Sequence, residues 1–185
     1  ILQQLKRKGC PKNIFNLVMD YFRNRRITLC HGGHTGEKAT SKGCVQGSIC
    51  GPLFWNILMD RLLEKEWGEG VYISAFADDV ALVVEGSDSR IVEVRANRSL
   101  DLAIRWGEDV GLVFSETKTQ VLLMTRKRLD PPRLLMKGIN LKFSKASEIL
   151  GVVMDDKLNR SKHIDYVCEK AARVIKSMKR ATKLT

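Results

Sequence analysis

Two carboxylates, Asp78 and Asp79, stand side by side within YISAFADDVALVVEG (72–86), between two runs of residues that favour a protein interior. Asp is a common turn residue and a hairpin tip must meet water, so an ordinary turn is one reading. That reading leaves unexplained why the turn lacks Gly and Asn and holds two like charges. Adjacent carboxylates repel, and a divalent cation relieves the repulsion most effectively, so a metal platform is the sharper reading. Hard oxygen ligands suit Mg²⁺, which keeps several waters and binds substrate phosphates. Two such ions about 4 Å apart can activate an attacking hydroxyl and stabilise a leaving pyrophosphate. Phosphoryl transfer needs little else beyond positioning and charge. Neighbouring strand side chains point to opposite faces, so the pair is a small ligand set for two ions and a third carboxylate from another strand is expected. Asp20, Asp60, Asp88, Asp155 and Asp156 are the candidates within the chain, and each reads as solvated surface. The further ligand is expected upstream of Ile1.

Three other stretches could serve the same chemistry. GCVQGSICGP (43–52) sets Gln46, Gly47 and Ser48 among three glycines ahead of an expected helix. Backbone can approach a ligand closely there, and the helix amino-terminus favours phosphate. Gln46 could hydrogen-bond a base or sugar edge, although an ordinary Gly-rich turn explains the same residues. Lys118 follows GLVFS and could reach a phosphate or donate a proton; most such lysines are simply solvated. From about Arg160, Ile164, Val167, Cys168, Ala171, Ile175 and Met178 share one helical face. Lys170, Arg173, Lys176, Lys179, Arg180 and Lys183 cover the rest, which makes a basic amphipathic helix.

The elements that must position these residues follow from periodicity. Ile14, Leu17, Val18, Tyr21 and Phe22 recur at helical spacing after Pro11, predicting a helix over 12–24. Short strands flank HGGHTG, a helix follows the Gly-rich loop with Phe54, Leu58 and Leu62 on one face, and 72–86 forms a hairpin. A helix is expected over 89–106, then strands over 112–115, 120–125, 139–143 and 148–153, with Asp130-Pro131-Pro132 breaking the chain. Interleaved helices and strands around a central hairpin predict an α+β fold, a layer of antiparallel strands backed by helices.

Composition sets outer limits. The chain has 185 residues, 44% of them hydrophobic, enough for one substantial domain. Its 32 Lys and Arg against 21 Asp and Glu give a net charge of +11, which suits a polyanion such as nucleic acid or an anionic membrane surface. No apolar run approaches the roughly 20 residues that span a bilayer, and a soluble intracellular protein is expected. Five cysteines (Cys10, Cys30, Cys44, Cys50, Cys168) lack a disulfide rhythm, and His31 and His34 near Cys30 complete no zinc pattern, so free thiols are expected.

In their order, these segments resemble the reverse transcriptase domain of non-LTR (LINE-type) retrotransposons, jockey-like lineages in particular. GCVQGSICGPLFWNILMD is similar to the family's Gln-Gly motif and following helix, and FADD (76–79) to its metal-binding aspartate motif. GLVFSETKTQVLLM is similar to the next motif, and EILGVVMDDKLN followed by His163 resembles the primer-grip strand pair and the start of the thumb. The resemblance implies a polymerase palm with partial fingers over 1–145, then primer-grip strands and the start of a thumb helix over 146–185. It implies an RNA-directed DNA polymerase with Asp78 as principal metal ligand and Asp79 as its catalytic neighbour, using two Mg²⁺ ions with Mn²⁺ as a substitute. Gln46, Gly47 and Ser48 would line the template and nucleotide site, and Lys118 would lie near the triphosphate. Lys170, Arg173 and Lys176 would track the nucleic-acid backbone. The implied partners are an RNA template, a DNA primer, the RNA–DNA duplex and deoxynucleoside triphosphates, with no membrane, and the implied place of action is the nucleus after cytoplasmic assembly.

Two departures qualify that picture. The family's first catalytic aspartate stands on an earlier strand, before the segment that ILQQLKRKGCPKN resembles, so the chain alone is expected to show little polymerase activity. The family's Asn near the lysine motif is replaced by Ser115-Glu116-Thr117, which leaves nucleotide contacts there less defined. The alternatives are a non-catalytic, maturase-like RNA-binding module and a membrane-surface protein using the basic helix.

Overall fold

Pro11 occupies the cap of a helix, where its missing N–H costs no hydrogen bond. That helix, α2 (Lys12–Tyr21), follows α1 (Leu2–Arg7) and ends earlier than its periodicity predicts. The chain turns away at Asn24, which takes a left-handed φ of 49°, a conformation Asn tolerates better than most residues. Strands β1 (Arg26–His31) and β2 (His34–Ala39) then pair antiparallel with His31 opposite His34. Gly32 and Gly33, at φ 56° and 78°, supply the two positive φ values that a tight hairpin turn demands. Helix α3 (Cys50–Leu63) follows the Gly-rich loop, and β3 (Val71–Phe76) and β4 (Asp79–Val84) form the expected hairpin.

The computed structural model describes residues 1–127 and 129–181, which fall into two units. The first comprises residues 1–67 and 72–83. Its core gathers Leu5, Phe54, Met59, Leu62 and Trp67, and the rings of Tyr21, Phe22 and Phe54 meet at centroid distances of 5.0–5.5 Å. Lys8 pairs with both Asp60 and Glu64, which ties α1 to α3.

The second unit comprises residues 68–71 and the described residues from 84 onward and is organised by α4 (Ser89–Val110). Ala96, Ser99, Ala103, Trp106 and Gly107 recur at helical spacing and are buried. Ala96 packs with Leu134, Leu141 and Met136 of β6 (Leu135–Met136), and Val121 of β5 (Val121–Leu122) and Phe143 of β8 (Phe143–Ser144) pack against this cluster, while β7 (Ile139–Asn140) pairs with β6 and is exposed. The Asn97 amide donates to the Arg133 carbonyl and accepts the Leu135 N–H, while Glu93 accepts the Arg133 N–H, so α4 fixes the chain just after Pro132. A hairpin of β9 (Ala146–Ile149) and β10 (Val152–Asp155) precedes α5 (Ser161–Ala181).

Several expectations require correction. Residues 112–115 form no strand; the Leu112 N–H caps the end of α4 at the Gly107 carbonyl, 2.7 Å away. The expected strand over 148–153 is folded in two, because Leu150 and Gly151 make a turn with φ 51° and 80°. The antiparallel layer is absent among the described residues: strands two to six residues long pair only in twos, and β5 with β8 is parallel. The fold is α+β with small sheets. All five cysteines are free, as expected, and no helix among the described residues is long and apolar enough to cross a membrane. Lys183 lies outside the described residues.

The α4 cap carries a pH prediction. The Asp88 side chain accepts the Ile91 N–H at 2.9 Å, and this bond, followed by one from Ser87, holds its carboxyl below the ordinary range. A depressed folded value means stabilisation that is complete above the unfolded pKa and is lost as pH falls through the folded one. Asp88→Ala is therefore expected to lower Tm at neutral pH, with the gap to wild type closing under acid conditions; a gap constant with pH would contradict the capping role.

Candidate active site

The hairpin of β3 and β4 lifts both carboxylates into solvent. Asp78 is the second residue of the two-residue turn and Asp79 the first of β4, and both are exposed. Along β3 exposure alternates: Val71, Ile73 and Ala75 are half-buried, while Tyr72, Ser74 and Phe76 face outward. Ala77, the first turn residue, has φ 51° and Asp78 does not, a pattern whose first position ordinarily belongs to Gly. The Ala77 carbonyl accepts a hydrogen bond from the Trp55 indole N–H of α3 at 2.5 Å.

The amino-terminus of α3, about one turn before Trp55, carries the Gly-rich loop. Gly47 has φ 82°, the Ser48 hydroxyl accepts the Gly51 N–H at 3.1 Å, and Gln46 is exposed. A Cβ on Gly51 would sit 3.2 Å from the Ser48 hydroxyl and 3.4 Å from the Cys44 sulfur, so a larger residue there would press on the loop's side chains. Gln46, Gly47, Ser48, Asp78 and Asp79 thus share one unit, linked through a single helix. Ser48 already spends its hydroxyl on the helix start, a structural duty absent from the sequence reading.

Asp78 and Asp79 fit a Mg²⁺ site of the kind that uses one or two carboxylates and fills its shell with water and phosphate oxygens. No group of three His, Cys, Asp or Glu able to hold a metal occurs among the described residues. The other acids have their own partners: Asp60 with Lys8, Asp20 with Arg23, Asp88 at its cap. Asp155 overturns the expectation of solvated surface. It is 3% exposed, its Oδ1 accepts the N–H groups of Lys157 and Asn159 at 2.9 and 3.2 Å, and its Oδ2 is buried without a partner. Asp155 and the half-buried Asp156 line a cavity of about 280 Å³ with Lys145, Lys157, Asn159, Ser161 and Lys162. The habit of Asp to bond backbone two residues on was the available signal.

In the second unit Lys118 is exposed on a turn of residues 116–118. That turn is anchored by Lys137, whose ammonium donates to the Phe114 carbonyl at 2.8 Å and approaches Glu116 at 3.4 Å. The Glu116 carboxyl is held below its usual range first by its own backbone N–H and then by Lys137. Helix α5 displays Lys170, Arg173 and Lys176 to solvent, with the Lys170 ammonium 5.6 Å from the Tyr166 ring centroid. Its apolar residues are exposed too, including Ile164 and Ile175.

Residues 1–168 match the reverse transcriptase (RNA-dependent DNA polymerase) family. A 115 kDa protein in the type-1 retrotransposable element R1DM of Drosophila melanogaster is 30% identical over 97% of this chain and 17% of its own length. A retrovirus-related Pol polyprotein from the type-1 retrotransposable element R1 2 of Nasonia vitripennis is 35% identical over 75% of this chain and 35% of its own. The RNA-directed DNA polymerase from mobile element jockey of Drosophila melanogaster is 21% identical over 85% of this chain and 18% of its own. The chain thus spans about a sixth to a third of these relatives. It belongs to the reverse transcriptase (RNA-dependent DNA polymerase) family, and the relatives it resembles come from non-LTR retrotransposons of the R1 and jockey kinds.

Proposed function

We propose that this chain carries the polymerase centre of a retrotransposon reverse transcriptase, which copies RNA by adding deoxynucleotides to a primer 3′ hydroxyl. The observation that carries the reading is the exposed Asp78-Asp79 turn, tied by α3 to the loop of Gln46, Gly47 and Ser48. Bound Mg²⁺, with Mn²⁺ able to replace it, would supply hydroxyl activation and neutralisation of charge on the transferring phosphate. Asp78 and Asp79 would hold the ions. Gln46, Gly47 and Ser48 would orient the template base and incoming nucleotide, and Lys118 would meet the triphosphate. In this reading residues 1–145 contribute palm and partial fingers, and residues 146–185 the primer grip and first thumb helix. The primer would be chromosomal DNA, which places the reaction in the nucleus.

The test is primer extension on an RNA template with Mg²⁺, using this chain alone and the full polypeptide that its reading frame encodes. Metal-dependent incorporation by the full polypeptide supports the reading. RNA binding without incorporation under any divalent metal would overturn it in favour of a non-catalytic RNA-binding module.

The basic face of α5 gives an independent check. Replacing Lys170, Arg173 and Lys176 together with Ala should weaken binding of RNA–DNA duplex uniformly across sequences. The slope of log affinity against log salt should fall by about 2 to 3. An unchanged slope would remove the helix from the duplex-binding surface.

A further inference from the structure

Ala77 is an unfavourable residue for the conformation it holds. A non-glycine at positive φ crowds its Cβ against backbone, and such residues persist where their surroundings over-determine them. Asn or Asp can relieve the strain with a local side-chain hydrogen bond, and Gly avoids it; Ala can do neither. The turn connecting β3 to β4 therefore needs an external hold, and the structure offers one at short range. The Trp55 indole N–H meets the Ala77 carbonyl at 2.5 Å. Indole is a donor only, on a stiff ring with two rotatable bonds, so the contact fixes direction as well as distance. Trp55 is half-buried one turn into α3, which continues unbroken from Cys50 to Leu63.

We propose that Trp55 is a positioning residue for the catalytic turn: by holding the Ala77 carbonyl it keeps the strained backbone in the one conformation that presents Asp78 and Asp79 as a metal platform. The inference rests on the reverse transcriptase reading and adds a residue to it. Trp55 also ties the turn to the amino-terminal half of α3, the helix into which the Gln46-Gly47-Ser48 loop leads. Ala77 is exposed. Losing the indole donor leaves its carbonyl to water rather than orphaned, so the consequence falls on geometry and not on folding.

The experiment replaces Trp55 with Phe, which keeps a ring and removes the N–H, in the polypeptide that extends primers. A single neutral hydrogen bond acting through the reacting geometry corresponds to up to about a tenfold change. The expected result is a kcat lowered by about that factor, a KM for nucleotide within about twofold of wild type, a raised Mg²⁺ requirement and an unchanged Tm. Adding Ala77→Gly, which takes positive φ without strain, should restore part of the loss. In parallel, NMR of this chain should show a Trp55 indole proton protected from exchange, and Trp55→Phe should shift the amides of Asp78 and Asp79. Wild-type kcat in Trp55→Phe, or a loss that Ala77→Gly does not relieve at all, overturns the proposal. If the wild type itself incorporates nothing, the polymerase reading fails, and a freely exchanging indole proton would then sink the proposal separately.

Discussion

Asp78→Asn is expected to abolish Mg²⁺-dependent nucleotide incorporation while leaving the protein folded and able to bind RNA. The substitution keeps the shape of the side chain and removes the charge that makes it a hard-metal ligand. Metal-held charge stabilisation is worth several kcal/mol in a phosphoryl transition state, and about 1.4 kcal/mol corresponds to tenfold in rate. The loss should therefore be roughly a thousandfold or greater. Asp78 is exposed at a turn and packs in no core, so circular dichroism and Tm should match the wild type. RNA affinity should hold or rise slightly, since a negative charge beside a polyanion has been removed. Primer extension, filter binding and a melting curve on one preparation separate these quantities. Incorporation within tenfold of wild type would remove Asp78 from the metal site, and a simultaneous loss of RNA binding would point to misfolding instead.

The hairpin over 72–86 was legible because an apolar run on each side of two charges admits few other local structures; burial alternates along β3 but not along β4. The helix behind the Gly-rich loop and the basic α5 were legible for the same reason, since periodicity of about 3.6 survives whatever tertiary structure does with it. What sequence could not supply was which turn or neighbouring group would claim a segment, or which residues the fold brings together from farther apart. Residues 112–115 look β-forming, but the carbonyl of Gly107 and the ring of Trp106 claim them for the end of α4. EILGVVM reads as one strand until Leu150 and Gly151 turn it back. Trp55 reads as one more apolar helix residue, and only the fold brings its indole to Ala77, 22 positions away. Asp155 was misjudged through the usual exposure of Asp; its burial depends on two backbone N–H groups that a turn happens to aim at it.

Trp106→Ala is expected to cost about 3–5 kcal/mol, the range for emptying a large aromatic site in a packed interior. Trp106 is 1% exposed, and its ring lies 6.2 Å from that of Phe114. Its indole nitrogen is buried without a hydrogen-bond partner, so the wild type already bears the cost of an unsatisfied donor. Trp106→Phe removes that donor together with part of the ring, and the two effects oppose; it should cost no more than about 1 kcal/mol. Urea unfolding followed by circular dichroism separates the variants through their midpoints. Trp106→Ala should also melt roughly 10 °C lower, given a few degrees per kcal/mol at this size. A loss below about 1 kcal/mol for Trp106→Ala would mean that this site collapses freely and is not a packing centre. The consequence beyond overall stability runs through Phe114. The Leu112 backbone closes α4, Lys137 holds the Phe114 carbonyl, and Lys118 follows four residues later. Below its melting temperature Trp106→Ala should therefore loosen the turn that carries Lys118, which amide hydrogen exchange over residues 116–118 would read as faster exchange than in the wild type.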